Sequence, residues 1–442
     1  MKKSLLPLCF LFLSAVNAQN INFPDPILKG ALTNSPLVGN NIALTDLNGN
    51  VTTNADTDGD GEISVTEAEN IRAIDFAYLG FTNLEGLQFF TNVRKINSYN
   101  CFASSFIFPE LINLEELVLQ VISGQQTLTS LDVSGNINLR VLDIYGGLLN
   151  SIDLSNNINL KELRITDNGA NTVLSLDNLT NLRKLTYFGS LSTLDISDCD
   201  KLVEITLGSS AGAVIPMSAI DLSNQPLLAN LFIGRTQITS LDLSNNPNLE
   251  NVYVSDNLLQ NLNFGNIQYV RNLYCDNNQL TTLDLNNFQN LDVLSCPNNN
   301  LINLKLKNFT IEDFVNFSGN PNLQYICCDV EQQVYINNQA LINGNFDTVI
   351  NSDCETNSVL TTIQPDNSNN KIIAFPNPTT DILSFNSYSN IDKVTISDSN
   401  GRIVSIFQNI SGAIDVSALE VGVYFLQVNA NGVDQQLKLI KI

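Results

Sequence analysis

LFIGRTQITSLDLSNNPNLEN (residues 231–251), VYVSDNLLQNLNFGNIQYVRN (252–272), LYCDNNQLTTLDLNNFQNLDV (273–293) and LSCPNNNLINL (294–304) align at a period of 21 residues. Leu231, Val252, Leu273 and Leu294 make one apolar column. Ile233, Val254, Cys275 and Cys296 make a second, and Leu241, Leu262, Leu283 and Leu304 a third. Asn257, Asn278 and Asn299 form a polar column between them. A fixed period of this size means one unit copied along an axis. Each unit is too small to bury its own apolar face and must stack on its neighbours. The alternation of the first two columns points inward from a short strand, and successive strands pair in parallel about 4.8 Å apart. The Asn column turns its amide to the backbone of the adjoining loop, with Cys101 as a candidate for that place in an early coil. Cys275 and Cys296 read as small buried hydrophobes.

The unit, L-x-x-L-x-[ILVC]-x-x-N-x-L followed by L-D-L-x-x-N-x-x-L, resembles the leucine-rich repeat, and more closely a short bacterial kind with Cys in the leucine column. The resemblance implies a solenoid with a parallel β-sheet horseshoe. It runs over residues 71–328 in roughly eleven to thirteen coils. The period slips to 26 residues between Ile205 and Leu231, and Ala211 to Met217 reads as a loop bulging from one face. Asp132, Asp153, Asp195, Asp221, Asp242 and Asp284 recur in the Leu-Asp-Leu segments as an acidic ladder. Local side-chain-to-backbone capping is their plain role. On the outward strand positions, Phe232, Tyr253 and Tyr274 share one column, and Asn230, Asn251 and Asn272 the next. Tyr145 and Phe188 occupy neighbouring outward positions of earlier coils. These eight residues are the candidate ligand face on the concave sheet, where aromatic anchors beside amides suit a protein hot spot or a sugar. The competing reading is cross-strand pairing that only stabilises the sheet.

The 442 residues carry 44 acidic and 21 basic side chains, a net charge of −23. That balance argues against nucleic acid and anionic membrane as partners. The chain contains no His and no Trp. Every His-based triad, general base and metal site is therefore excluded. No carboxylate pair stands out from the repeat columns, so the reading is not an enzyme.

Residues 1–18 read as a secretory signal: Lys2 and Lys3, an apolar run, then Val16-Asn17-Ala18. Cys9 lies too early in that run for a lipoprotein cleavage site. No segment of the sequence reaches the roughly 20 apolar residues of a membrane helix. Residues 19–70 precede the regular coils and form an N-terminal cap. Asp56-Thr57-Asp58-Gly59-Asp60-Gly61-Glu62-Ile63-Ser64-Val65-Thr66-Glu67 fits the EF-hand pattern D-x-[DN]-x-[DN]-G-x5-E. Calcium takes six to eight hard oxygens. Asp56, Asp58 and Asp60 offer carboxylates, Glu62 its carbonyl, Ser64 a water-mediated contact, and Glu67 both oxygens. Gly61 permits the turn, and Ser64 to Ile74 reads as a helix carrying Glu67. A second hand is missing, so the expectation is one structural Ca2+ ion rather than a sensor. Phe23-Pro24-Asp25-Pro26, the Asp/Gly loop, Glu67-Ala68 and Leu84-Glu85-Gly86-Leu87 resemble the cap preceding bacterial repeats of this kind.

Beyond Asn320, residues Pro321 to Asp329 end the last strand, and Glu331 to Ile342 read as a helix stopped by Gly344. Ile326-Cys327, the helix, and Asn351-Ser352-Asp353-Cys354 resemble a C-terminal cap of secreted leucine-rich-repeat proteins, here 329–354. The resemblance implies a Cys327–Cys354 disulfide, with Cys328–Cys354 the open alternative. Residues 355–371 are a polar linker. Residues 372–442 bring short alternating strands with turns at Asn400-Gly401 and Asn431-Gly432, a small β-sandwich. Phe375-Pro376-Asn377-Pro378, Asp398-Ser399-Asn400-Gly401-Arg402, Gly422-Val423-Tyr424-Phe425 and Lys438-Leu439-Ile440-Lys441-Ile442 resemble the type A C-terminal sorting domain of the type IX secretion system of Bacteroidetes. The resemblance implies contact with that machinery, export across the outer membrane, removal of this domain, and either surface anchoring or release. The resulting expectation is a secreted or surface-displayed recognition scaffold, for protein binding or adhesion as in internalin-type proteins. A glycan-binding role in polysaccharide use is the alternative.

Overall fold

The computed structural model describes residues 19–442 except 34–41, 78–79, 100–101, 121–127, 167–172, 210–211, 346–347, 353, 355–371, 373, 386–390, 399–400, 411 and 431–432. The signal peptide, Cys101, the linker at 355–371, Asn400 and the Asn431-Gly432 dipeptide lie outside those residues. The chain divides into two compact units, Met1–Glu355 and Thr356–Ile442.

The first unit is built on a 14-stranded sheet. Twelve of its strands run in parallel from Ile71–Ala77 to Phe314–Asn316, one per coil, and two antiparallel strands, Ile42–Asp46 and Val51–Thr52, close its N-terminal edge. Register follows the sequence columns. Leu231 pairs with Val252, Val252 with Leu273, and Leu273 with Leu294. These residues are fully buried, each contributing roughly 2 kcal/mol of hydrophobic burial. One continuous core runs from Ile21 to Ala340. Short parallel pairs such as Ser240–Asp242 with Asn261–Asn263 line the opposite side of the coils.

Polar ladders tie the coils together. The Asn278 amide donates to Val254 O at 2.9 Å and to Cys275 O at 3.0 Å, while its Oδ1 accepts from Leu259 N–H at 3.0 Å. Asn257, Asn299 and Asn320 repeat the arrangement one coil apart. A second buried ladder comes from Asn136, Asn157, Gln225 and Asn246, each donating to carbonyls of the preceding coil. Its oxygens accept no hydrogen bond from a described residue. The six ladder aspartates, Asp132 to Asp284, each accept from the backbone N–H two residues on. This is the capping role their sequence context indicates.

Two elements differ from the sequence reading. The helix after the Asp/Gly loop is Val65–Glu69 and not Ser64 to Ile74. Residues Ile71–Ala77 are a strand, because Ile74 and Phe76 go inside while the strand pairs on both edges, with Ile42–Asp46 and with Lys95–Tyr99. Tyr325–Cys328 does not extend the main sheet. It pairs with Asn303–Leu306 and Val349–Asn351 in a smaller sheet, because Ile326 continues the Leu304 column.

After the last coil come a 3-10 turn at Val330–Gln332 and the helix Gln333–Ile342, with Gly344 at φ 78° beyond it. Cys327 and Cys354 are joined by a disulfide with Cα atoms 5.3 Å apart. Cys328 is a buried free thiol, pushed up to about 12 by burial and by Asp329 beside it.

The second unit packs two antiparallel sheets over one core. Ile403–Ile410, Ile391–Asp398, Gly422–Ala430 and Val433–Lys441 form the larger. Ala374–Phe375, Ile382–Phe385 and Ala413–Asp415 form the smaller. Val394, Ile396, Leu426 and Leu439 from one meet Leu383, Phe385 and Ile414 from the other. Asn377 clips onto the last strand, donating to Lys438 O at 2.6 Å and accepting from Ile440 N–H at 2.7 Å. Asp398 accepts from Arg402 N–H at 2.9 Å across the turn between the first two strands.

Candidate ligand face and calcium loop

The Asp/Gly loop is wound around Asp56. Its two oxygens accept from Gly59 N–H at 2.7 Å and Gly61 N–H at 2.8 Å, with both glycines at positive φ. Gly61, at φ 81°, turns the chain as the sequence requires. Asp56, Asp58 and Asp60 each offer a carboxylate oxygen, all within 4.8 Å of one another. Asp56 is buried and the other two are exposed. Glu62 sends its side chain to Lys29 at 2.6 Å, leaving its carbonyl as its contribution to the loop.

Ser64 and Glu67 form a capping box at the start of Val65–Glu69. Glu67 Oε2 accepts from Ser64 N–H at 2.9 Å, and Oε1 from Thr57 N–H at 2.6 Å. Partial burial disfavours the anion, yet the bonds from Ser64 and Thr57 together hold the Glu67 carboxyl below its ordinary value. The Glu67 oxygens are directed at Thr57 and Ser64. Opposite the loop, Ile21 N–H donates to Ile63 O at 2.8 Å and Val65 N–H to Gln19 O at 3.0 Å. The donor chemistry of the three convergent aspartates suits a hard divalent cation, whereas Glu67, bonded to Thr57 and Ser64, is not brought into that cluster.

The outer face of the main sheet carries the second candidate. Phe232 and Tyr253 stack with ring centroids 4.5 Å apart and planes 9° from parallel. Tyr253 and Tyr274 stack at 4.8 Å and 10°. Beside them, Asn272 donates to Asn251 at 2.7 Å, and Asn251 to Asn230 at 2.7 Å. Both columns match the 21-residue register, because strand pairing sets side chains one strand spacing apart. Partial burial pushes the Tyr253 phenol up, with Tyr274 adding to it.

Tyr145 and Phe188 belong to one outward column, paired through Thr166. Only Phe188 reaches the stack. It joins Phe232, Tyr253 and Tyr274 in lining a shallow groove of about 390 Å³. Tyr145 does not line that groove. Residues that the sequence reading did not single out complete it: Thr206, Gly208, Gly234 and Arg235. Gly208 has no side chain where Phe188 lies across it; an added Cβ would sit 3.0 Å from the ring. The available signal was a glycine at the end of one strand, Gly208, and another just after the next, Gly234, on either side of the 26-residue slip in period. The insert at that slip is not only a bulge. Ile215 and Met217 are buried, and Ile215 bridges to Thr236 beside the groove.

Residues 373–442 match the family model of the secretion system C-terminal sorting domain. No curated protein matches the chain. Among solved structures it is similar to an internalin (inlF) from Listeria monocytogenes, at 18% identity over 75% of this chain and 96% of that one, with a TM-score of 0.46. It is also similar to a leucine-rich-repeat protein of Leptospira interrogans, at 19% identity over 60% of this chain and 61% of that one, with a TM-score of 0.42. By its own strand register and period the first unit is a leucine-rich-repeat solenoid. The matched domain sends it through type IX secretion to the cell surface or the medium. Among the described residues no helix is long and apolar enough to cross a membrane.

Proposed function

We propose that this exported solenoid is a non-enzymatic recognition scaffold whose outer sheet face, around Phe232, Tyr253 and Tyr274, binds another protein, as in adhesion. The observation that carries this reading is the stacking. With rings parallel at 4.5 and 4.8 Å, both faces of Tyr253 are covered by its neighbours. A sugar packs on an exposed ring face, and the middle ring of the stack offers only its edge. Edges and phenol hydroxyls beside a groove suit the side chains of a protein partner. The glycan alternative keeps one supporting feature, the Asn230–Asn251–Asn272 amide ladder, but those amides already bond one another. The type A form of the sorting domain, as in Bacteroidetes, fits the four motifs at 375–442.

The purified protein is to be screened against a displayed peptide library and a glycan array in parallel. Enriched peptides that lose binding to Tyr253→Ser support the reading. Glycan binding lost in that variant, with no peptide enriched, replaces it by the alternative.

In the same scheme Asp56, Asp58, Asp60, the Glu62 carbonyl, Ser64 and Glu67 hold one structural calcium ion that stiffens the N-terminal cap. Calcium supplies charge neutralisation there and no chemistry. Titration calorimetry with calcium tests it; absence of any binding heat removes the ion from the reading.

A further inference from the structure

We infer that the groove takes an aromatic side chain of the partner polypeptide, flanked by a carboxylate, as the fourth ring of the stack. This deepens the protein-recognition reading above and rests on it. The column Tyr274, Tyr253, Phe232 continues in register to Thr206 and then Thr186. At Thr206 the column lacks a ring, so the second face of Phe232 looks along the column over a small side chain. The neighbouring outward position on that strand is Gly208, which has no side chain. Phe188, on the strand beyond, closes the far side.

The strands bearing Phe188 and Phe232 are separated by one strand, hence by roughly 9–10 Å. A ring seated over Thr206, between Phe232 and the Phe188 ring that lies across Gly208, is one strand spacing from Phe232. That is the separation at which the protein's own rings already stack. The run of rings thus ends at Phe232, and the floor beyond it at Thr206 is backbone and a methyl group.

Charge selects the ring's neighbour. Arg235 is exposed and is the one cation among the described residues lining the groove. Asp256 also lines it, with one carboxylate oxygen accepting from the neutral Asn277 amide at 2.7 Å. The Arg235 guanidinium is the group in this groove that can pair with a partner carboxylate. The occupant is therefore an acidic–aromatic pair on an extended segment.

The chain has no Trp, so a tryptophan probe fluoresces without background from the protein's own indoles. The purified protein is titrated with a capped Gly-Asp-Trp-Gly peptide and with its Gly-Lys-Trp-Gly counterpart. A blue-shifted, saturable signal is expected for the first and binding about tenfold weaker for the second. Thr206→Phe fills the vacant place with the protein's own ring and lowers affinity for the acidic probe about tenfold. Gly208→Val, which pushes Phe188 into the groove, does the same. Unchanged unfolding midpoints establish that both variants are folded. Binding that is indifferent to Thr206→Phe and Gly208→Val, or equal for the two probes, overturns the inference. Library peptides that depend on Tyr253 but ignore Thr206→Phe would leave protein recognition standing and remove only the ring slot.

Discussion

Replacing Tyr253 by Ala tests what the aromatic column does for the sheet. Tyr253 is the middle ring and makes two stacked contacts, at 4.5 and 4.8 Å, whereas Phe232 and Tyr274 each make one of these. An aromatic pair is worth about 1 kcal/mol beyond its area burial. Tyr253→Ala should therefore cost about 2 kcal/mol, and Phe232→Ala or Tyr274→Ala about 1 kcal/mol each. No cavity term enters, because the rings stand on the outer face and their inward neighbours, Val252 and Leu273, remain packed. Urea unfolding of the wild type, the three single variants and the Tyr253/Tyr274 double variant supplies the numbers. The double variant should fall short of additivity by about 1 kcal/mol, the shared contact counted once. Equal costs for Tyr253 and Tyr274, or full additivity, would refute the idea that neighbouring rings support one another. The groove would then need another explanation for its parallel rings.

Four further outcomes follow from the caps. Calcium should raise the melting midpoint by a concentration-dependent amount, about 2.7 kcal/mol at a hundredfold excess over Kd, with no shift in chelator or in Glu67→Gln. Independently of metal, Glu67→Gln should cost about 1 kcal/mol in chelator through the weakened capping box, read by urea titration. Replacing Cys327 and Cys354 together by Ser opens a link across 27 residues and should cost about 3.5 kcal/mol on the loop-entropy estimate, seen as a lower urea midpoint than in the oxidised wild type. The folded-state value of Glu67 is depressed from an ordinary 4.5. Its contribution is therefore complete above that value and lost as pH falls through the lower folded one. Asp25 behaves alike: burial opposes its charge, but N–H groups of Thr82, Leu28, Asn83 and Ile27 hold its carboxyl low. An acid titration in chelator should show wild-type stability declining below the ordinary carboxylate range, with a shallower decline in Glu67→Gln. Parallel acid curves would rule out the linkage.

The sequence by itself determined the solenoid, because its signal is repetition. One unit cannot bury its leucines alone, and a dozen copies at a period close to 21 admit only stacking in register. The same repetition made the Phe232–Tyr253–Tyr274 column, the asparagine ladder and the capping aspartates legible, since equal spacing in a solenoid becomes adjacency in space. The loop at Asp56–Glu67 was legible for a different reason, its ligand types lying within one short stretch. What breaks the repeat was decided only by tertiary structure. Ile71–Ala77 became a strand because two neighbouring strands claimed its edges, a long-range pairing that no local helix signal outweighs. Tyr325–Cys328 went to the smaller sheet because its register follows Leu304 across a coil. The groove arises where the period slips. Phe188 lies across Gly208 toward Phe232, two strands and 44 residues away, so ring, floor and guanidinium meet through packing between coils rather than through spacing along the chain.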